Sequence, residues 1–82
     1  MRLVTNNSAA CTIGAGRPVG HLSLPFVYLT WRDQEWLHAG KGGLRAKLAD
    51  MMAENPGVPI VGESIQGRVE PVAGDYFAAL LK

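Results

Sequence analysis

A glycine-rich stretch near the start of the chain has the composition of a phosphate-binding loop. The segment TIGAGRPVGH, residues 12–21, contains Gly14, Gly16 and Gly20. A dinucleotide-binding loop needs the spacing G-x-G-x-x-G between a strand and a helix, so that the helix amides face the pyrophosphate. Here the spacing is G-x-G-x-x-x-G, and the segment that follows is strand-like. The sequence therefore favours a turn over a nucleotide-binding site.

Other side chains with catalytic potential also lack the spacing that catalysis requires. The segment GESIQG, residues 62–67, is close to the nucleophile elbow G-x-S-x-G, but Gln66 occupies the place of the second glycine. Cys11, His21 and His38 match no family-like spacing for a thiolate–imidazole pair or a metal centre. A lone cysteine is more often a small buried side chain. We therefore expect no enzyme activity, no metal and no cofactor.

A second glycine cluster, HAGKGGLRAKL at residues 38–48, lies where two predicted helices meet. The N-terminus of a helix attracts anions through its unpaired amides and its macrodipole. The residues that would contact a nucleic-acid backbone are Gly40, Lys41, Gly42, Gly43, Arg45 and Lys47, with Arg68 added from a later hairpin. The alternative is a tight turn between two helices, in which the basic side chains are simply hydrated.

The same segment resembles the helix-hairpin-helix DNA-binding motif, whose G-hydrophobic-G loop is followed four residues later by an alanine. Gly40, Gly42 and Ala46 match that pattern. Lys41 departs from it, because the family places an apolar residue there, packed between its helices. Ala49 stands where the pattern usually has Ile or Leu. The resemblance covers only the two predicted helices and their turn, and it implies contact with a phosphate backbone.

The two tryptophans indicate a different kind of partner. Trp31 and Trp36 are five residues apart on one predicted helix, so we expect one to face the core and the other to be partly accessible. An accessible Trp among basic residues is typical of a protein-interface hot spot. The residues that would bind a protein are Trp31, Arg32, Trp36, Lys41 and Arg45. Two alternatives stay open: a tryptophan that stacks on a nucleobase, or two core tryptophans.

The first part of the hydrophobic pattern predicts a strand and a helix. HLSLPFVYL predicts a strand over 21–29, with its even-numbered residues on one face and Pro25 making it an edge or bulged strand. Thr30 and Asp33 have the spacing of a capping box for a helix over 31–39, which Gly40 would end. Residues 1–20 predict no definite arrangement.

The second part predicts a helix, a hairpin and a final helix. A helix over 43–55 is followed by Asn-Pro-Gly, which ends it. A hairpin over 58–72 turns at residues 62–64, with Ile65 and Val69 facing inward. Asp75 begins a helix over 75–82 that is apolar nearly all round and must pack against something. The order of elements predicts one α+β domain over residues 1–82.

Composition limits the classes of function. The chain has 82 residues, of which 48% are hydrophobic, and a net charge of +1. Residues 1–49 carry six basic and two acidic side chains, whereas residues 50–82 carry two basic and five acidic ones. One basic and one acidic surface are therefore expected. A single cysteine favours a reducing cytoplasm, and no apolar stretch approaches the ~20 residues of a membrane span.

Together these features predict a small non-catalytic module that binds another protein through the basic, Trp-containing helical pair. Self-association through the last helix, from Tyr76 to Lys82, is a further expectation. In size and general character the chain is similar to phage-encoded inhibitors and adaptors, such as anti-CRISPR proteins. The alternative is a nucleic-acid-binding regulator that uses residues 31–54, with the 58–72 hairpin as a wing carrying Arg68.

Overall fold

A mixed sheet covered by helices forms the centre of the fold. The structure, a computed structural model, describes residues 1–5, 12–13, 17–19, 22–72 and 74–81. The elements within these residues are β1 (Arg2–Val4), β2 (Thr12–Ile13), β3 (Arg17–Pro18), β4 (Phe26–Leu29), α1 (Trp31–Ala39), α2 (Leu44–Glu54), β5 (Ile60–Glu63), β6 (Val69–Pro71) and α3 (Gly74–Leu80). The predicted α+β class is confirmed. Gly14, Gly16, Gly20, Cys11 and His21 lie outside the described residues.

The strand order of the main sheet follows from the connections. The order is β1-β4-β5-β6, and β2 and β3 form a separate antiparallel pair. β4 and β5 are parallel, with Val27 opposite Ile60, because α1 and α2 lie between them in the chain and carry it back across the sheet. β1 pairs with β4, and β6 with β5, in antiparallel orientation.

The strand predicted over 21–29 is shorter than expected, and it is central instead of at an edge. β4 begins at Phe26, and all four of its residues are buried. A strand that is apolar on both faces is typical of the middle of a sheet. The alternation of apolar and other residues over 22–28 predicts only one apolar face, so it does not indicate a central strand. Pro25 lies just before β4, where its missing N–H removes no bond from the ladder. Leu22 and Leu24 still pack against the same cluster as Phe26 and Tyr28.

The sheet separates two hydrophobic clusters. One contains the buried residues Val4, Ile13, Val19, Phe26, Tyr28 and Val61, and it lies on the side of the β2–β3 pair. The other contains Val27, Leu29, Leu37, Leu48, Ile60 and Phe77, and it joins the sheet to all three helices of the described chain. Each helix therefore contributes one fully buried side chain to the second cluster.

Local signals define α1. Thr30 is the N-cap: its hydroxyl accepts from the Asp33 amide, and the Asp33 carboxylate accepts from the Thr30 amide, both at 3.0 Å. The predicted capping box is therefore confirmed. Gly40 ends the helix with φ 72°, a left-handed conformation that glycine adopts without strain. α2 spans Leu44–Glu54, where the sequence predicted 43–55.

The hairpin turns later than predicted. Its turn covers residues 64–68, closed by the Ser64 amide donating to the Arg68 carbonyl at 2.7 Å. Gly62 is a strand residue that pairs with Glu70. The expectation that Ile65 faces inward is wrong, because Ile65 lies in the turn and is 71% exposed. Gly67 supplies the left-handed residue, with φ 84°, that such a turn requires.

The last helix packs against the protein's own core. α3 spans Gly74–Leu80, where the sequence predicted 75–82. Phe77 is 1% exposed, and Leu80 and Leu81 are half-buried against the same cluster. The large apolar side chains of this helix are thus already in contact, and self-association through it stays a prediction. No helix in the described part of the chain has the length and apolarity needed to cross a membrane.

Candidate functional site

A groove with exposed aromatic side chains runs between α1, the β5–β6 hairpin and the start of α3. It consists of two adjoining cavities of about 380 Å³ each, which share Trp31, Gln34 and Tyr76. The other lining residues are Glu35 and His38 in one cavity, and Gly62, Glu63, Ser64, Glu70, Pro71 and Val72 in the other. We call this feature the aromatic groove.

The spacing of residues on α1 explains why it supplies one wall of the aromatic groove. Trp31, Gln34, Glu35 and His38 recur at intervals of three and four residues and so lie along one face of the helix. Leu37 is the buried residue of α1 and points into the core. The capping box fixes where the helix starts, and therefore fixes the direction of this face.

Hydrogen bonds tie that wall to the strand beside it. Gln34 Nε2 donates to the Glu63 carbonyl oxygen at 2.8 Å and to the Thr30 carbonyl oxygen at 3.3 Å. Gly62 makes the approach possible, because a Cβ there would lie 2.8 Å from Gln34 Nε2. α1 and β5 are thus held in close contact along the groove.

The Glu63 carboxylate is positioned by a buried phenol. The Tyr28 hydroxyl donates to Glu63 Oε2 at 2.6 Å, and Tyr28 is only 3% exposed. A short hydrogen bond to an ionised oxygen is stronger than a neutral one. Tyr28 belongs to the cluster on the β2–β3 side of the sheet, so the Glu63 carboxylate lies on that side, and it is the Glu63 backbone carbonyl that faces Gln34 in the groove.

Tyr76 is held between a histidine and a core phenylalanine. The Tyr76 hydroxyl lies 2.9 Å from His38 Nδ1, and the two rings are parallel within 4°. On its other side Tyr76 meets the buried Phe77 ring edge-on, at a centroid distance of 5.2 Å. The aromatic ring is therefore supported from α1 and from the core while 47% of the residue stays exposed.

The aromatic groove is acidic. Glu35 and Glu70 line it and have exposed side chains, and no Lys or Arg is among the described residues of its lining. The sequence predicted Tyr76 only as part of a self-association surface and did not indicate Glu70, because both come from elements distant from α1 in the chain; Glu35, one turn after Trp31 on α1, was also missed. The spacing of Trp31, Glu35 and His38, one and two helical turns apart, was a local signal of a shared face.

The residues predicted to bind a protein do not lie together on one face in the structure. At about 100° per residue, Trp36 lies about 140° around α1 from Trp31, so the two rings serve different faces. Both are exposed, at 40% and 41%, and the expectation that one enters the core is wrong, because Leu37 fills that position. The Trp36 ring lies over Gly42, where a Cβ would be 2.8 Å from Cε3. Arg32 and Lys41 are exposed.

The residues predicted to bind an anion are also divided. Arg45 Nε donates to the Leu37 carbonyl at 2.7 Å, and its guanidinium also donates to the His38 carbonyl at 2.9 Å. Arg45 therefore caps the end of α1. Lys41 and Lys47 remain exposed beside the turn, whose glycines, Gly40, Gly42 and Gly43, all have positive φ.

Two further features bear on the nucleic-acid alternative. Lys41 is exposed, whereas the helix-hairpin-helix motif packs an apolar residue at that position. Arg68 lies at the end of the β5–β6 turn, on a different element from the glycine cluster. Among the residues that the structure describes, no shared contact therefore joins the predicted basic residues into one site.

Comparisons with known proteins gave no match. No protein-family model matches the chain, and no curated protein or solved structure shows significant similarity to it. Among the described residues, no group of three or more His, Cys, Asp or Glu side chains could hold a metal ion. A functional proposal therefore rests on the geometry of the described side chains.

Proposed function

We propose that this protein acts by binding another protein, without catalysis, and that the aromatic groove is its contact surface. The observation that carries the proposal is the exposure of Trp31 and Tyr76, at 40% and 47%, over one continuous groove. Trp and Tyr are enriched among the residues that contribute most to binding energy at protein interfaces. The two rings offer a partner a large apolar area that this chain leaves uncovered.

The contacts that hold Tyr76 and the neighbouring wall of the groove in place favour binding. Tyr76 is braced by His38 and Phe77, and Gln34 ties the neighbouring wall to β5. Side chains that are ordered before a partner arrives lose less conformational entropy on binding. A groove built in this way can bind with a modest contact area.

The proposal also includes a setting. The single cysteine favours a reducing compartment such as the cytoplasm. The small size of the domain fits an inhibitor or adaptor of the kind that phages encode. Recognition of one partner, and not turnover of a substrate, is the activity expected of such a protein.

A comparison of the two tryptophans tests the proposal. The protein is cross-linked to its neighbours in cells, the partner is identified and purified, and its Kd is measured for wild type, Trp31→Ala and Trp36→Ala. The two residues share a helix and an exposure of about 40%, so Trp36→Ala is a matched control. Loss of affinity in Trp31→Ala alone supports the groove as the interface. Equal affinities for all three proteins contradict it.

Nucleic-acid binding is kept as a second candidate because of one feature. Lys41 and Lys47 are exposed, before and after Gly43 in the chain, and a Cβ at Gly43 would have no described atom within 4 Å apart from those of its chain neighbours. An open backbone between two cations can approach a phosphate closely. A salt-dependent binding measurement, described in the Discussion, separates this candidate from the first.

A further inference from the structure

We infer that the aromatic groove takes a lysine or arginine side chain from an extended basic segment of the partner protein. This inference rests on the proposed function and specifies the chemistry of the partner. It is carried by the combination of two exposed aromatic rings with the exposed side chains of Glu35 and Glu70, in a groove whose described lining residues include no Lys or Arg. A cation is the group that such a surface complements.

The arrangement of the lining residues favours a cation in either half of the groove. Trp31 and Tyr76 line both cavities, Glu35 lines only the cavity beside His38, and Glu70 lines only the cavity beside the hairpin. A cationic side chain in either cavity therefore meets the aromatic pair and at least one carboxylate. An ammonium or guanidinium is attracted both to the face of an aromatic ring and to a carboxylate.

The two cavities together suit an extended segment instead of a single ion. They adjoin through Trp31, Gln34 and Tyr76, so a chain lying along the groove can place one residue in each. Alternate residues of an extended chain point the same way, which puts two side chains within reach of the two cavities. A partner with basic residues at such a spacing would neutralise carboxylates in both halves.

The same charges disfavour other occupants. A neutral apolar segment would cover Trp31 and Tyr76 but would also take water from the Glu35 and Glu70 carboxylates without pairing them, which costs free energy. An acidic segment or a nucleic-acid backbone would meet like charge. The groove therefore discriminates by repulsion as well as by attraction.

A second copy of this chain is the occupant that must be separated from a partner. Lys41 and Lys47 are exposed next to the turn between α1 and α2, and they could in principle enter the groove of another molecule. Such a contact would be head-to-tail and would depend on protein concentration. A titration of the protein alone therefore belongs in the experiment.

Nuclear magnetic resonance of the two indole N–H groups is the test. The ¹⁵N-labelled protein is titrated with an acetylated, amidated Gly-Ser peptide that carries two lysines, and with the same peptide carrying glutamine at both places. We expect the Lys peptide to shift the Trp31 indole resonance and to leave that of Trp36 in place. We expect the Gln peptide to bind at least about tenfold more weakly, because it forms no ion pair.

Charge variants give the matched controls. Glu35→Gln combined with Glu70→Gln changes two exposed carboxylates of the groove, and we expect it to weaken the Lys peptide about three- to tenfold. Asp50→Asn combined with Glu54→Gln changes the net charge equally, on exposed positions of α2 that do not line the groove. The α2 pair is expected to leave the affinity unchanged.

Three results would overturn the inference. Equal binding of the Lys and Gln peptides would remove the role of charge while leaving the groove as a protein-binding surface. No shift of Trp31 with either peptide would reject a basic occupant, and the proposed function would then be decided by the Trp31→Ala measurement with the purified partner. A Trp31 shift that follows protein concentration without peptide would assign the groove to a second copy of the chain.

Discussion

The Arg45 guanidinium caps the end of the preceding helix, with its Nε 2.7 Å from the Leu37 carbonyl oxygen. From the first turn of α2, Arg45 thereby bonds two of the last four carbonyl groups of α1, those of Leu37 and His38. The Trp36 carbonyl accepts from the Lys41 amide. The two helices are therefore joined by a short glycine turn and by one side chain that crosses it.

Replacing Arg45 is expected to destabilise the fold. Arg45→Ala removes two hydrogen bonds from a charged donor, and we expect the free energy of unfolding to fall by about 1–2 kcal/mol. Urea unfolding followed by circular dichroism measures it. Lys47→Ala, two residues further along α2 and exposed, is the control and should change stability by less than about 0.5 kcal/mol. A loss no larger in Arg45→Ala than in the control would show that the cap is not formed in solution.

The nucleic-acid alternative needs variants that leave this cap intact. Lys41→Glu with Lys47→Glu reverses two exposed charges and leaves the Arg45 contacts in place. We expect generic DNA and RNA not to bind wild type measurably at about 0.15 M salt, because the release of counterions by a few phosphate contacts contributes less free energy as the salt concentration rises. Fluorescence anisotropy at low and physiological salt measures this. Tight binding that the double variant abolishes would instead support the nucleic-acid regulator.

The glycines of the turn differ in a way that can be measured. Gly42 and Gly43 have nearly equal φ, 68° and 67°, so an alanine at either position pays a similar backbone cost of about 1 kcal/mol. Only at Gly42 would the new Cβ meet a neighbour, the Trp36 ring at 2.8 Å. We expect Gly42→Ala to be the more destabilising and to shift the Trp36 indole resonance. Equal losses would mean that Trp36 does not lie over Gly42 in solution.

Acid is expected to weaken the start of α1. Partial burial acts to raise the pKa of the Asp33 carboxyl, but hydrogen bonds from the Met1 ammonium and the Thr30 amide outweigh it and hold that pKa below its ordinary value. The Met1 nitrogen lies 2.6 Å from Asp33 Oδ2. A pKa lower in the folded than in the unfolded chain means stabilisation above the ordinary value of about 4, lost as pH falls through the folded value.

The measurement compares wild type with Asp33→Asn between pH 7 and pH 2.5. Asparagine retains an oxygen that can accept from the Thr30 amide but carries no charge. We expect wild type to be the more stable at pH 7 and the difference to shrink below about pH 4. A difference that is constant with pH would mean that the Asp33 charge contributes nothing to folding.

The sequence predicted those parts of the fold whose determinants are close together in the chain. Thr30, Asp33 and Gly40 specify both ends of α1 from within a single segment. The central position of β4 was missed because it depends on pairing with β1 and β5, which are more than twenty residues before and after it in the chain. The turn of the hairpin was misplaced because Gly62 has turn-like chemistry but serves a close approach to Gln34.

The candidate site was predictable only in part for the same reason. Trp31 was selected for its type, and its exposure supports that choice. Its neighbours Tyr76 and Glu70 reach it only through the crossover and the hairpin, which the sequence pattern does not specify in detail. Arg45 was selected for its charge, yet the structure uses that charge to cap a helix. Residue type indicates chemistry, and long-range packing decides which chemistry is available.

Replacing an aromatic residue by alanine is expected to lower the free energy of unfolding much more in the core than at the surface. Phe77 is 1% exposed, whereas Trp31 and Trp36 are about 40% exposed. We expect Phe77→Ala to cost about 3–5 kcal/mol and Trp31→Ala about 1 kcal/mol or less. Trp36→Ala should fall between them because its ring lies over Gly42. Urea unfolding of the three variants gives the order.

The order of these values decides how the binding experiments are interpreted. A small loss in Trp31→Ala means that any loss of partner affinity in that variant comes from the missing contact, since the folded population is unchanged. A loss for Trp31→Ala equal to that for Phe77→Ala would place Trp31 in the core, and the groove would then lack its main exposed ring. The stability series is therefore measured on the same protein preparations as the partner Kd values.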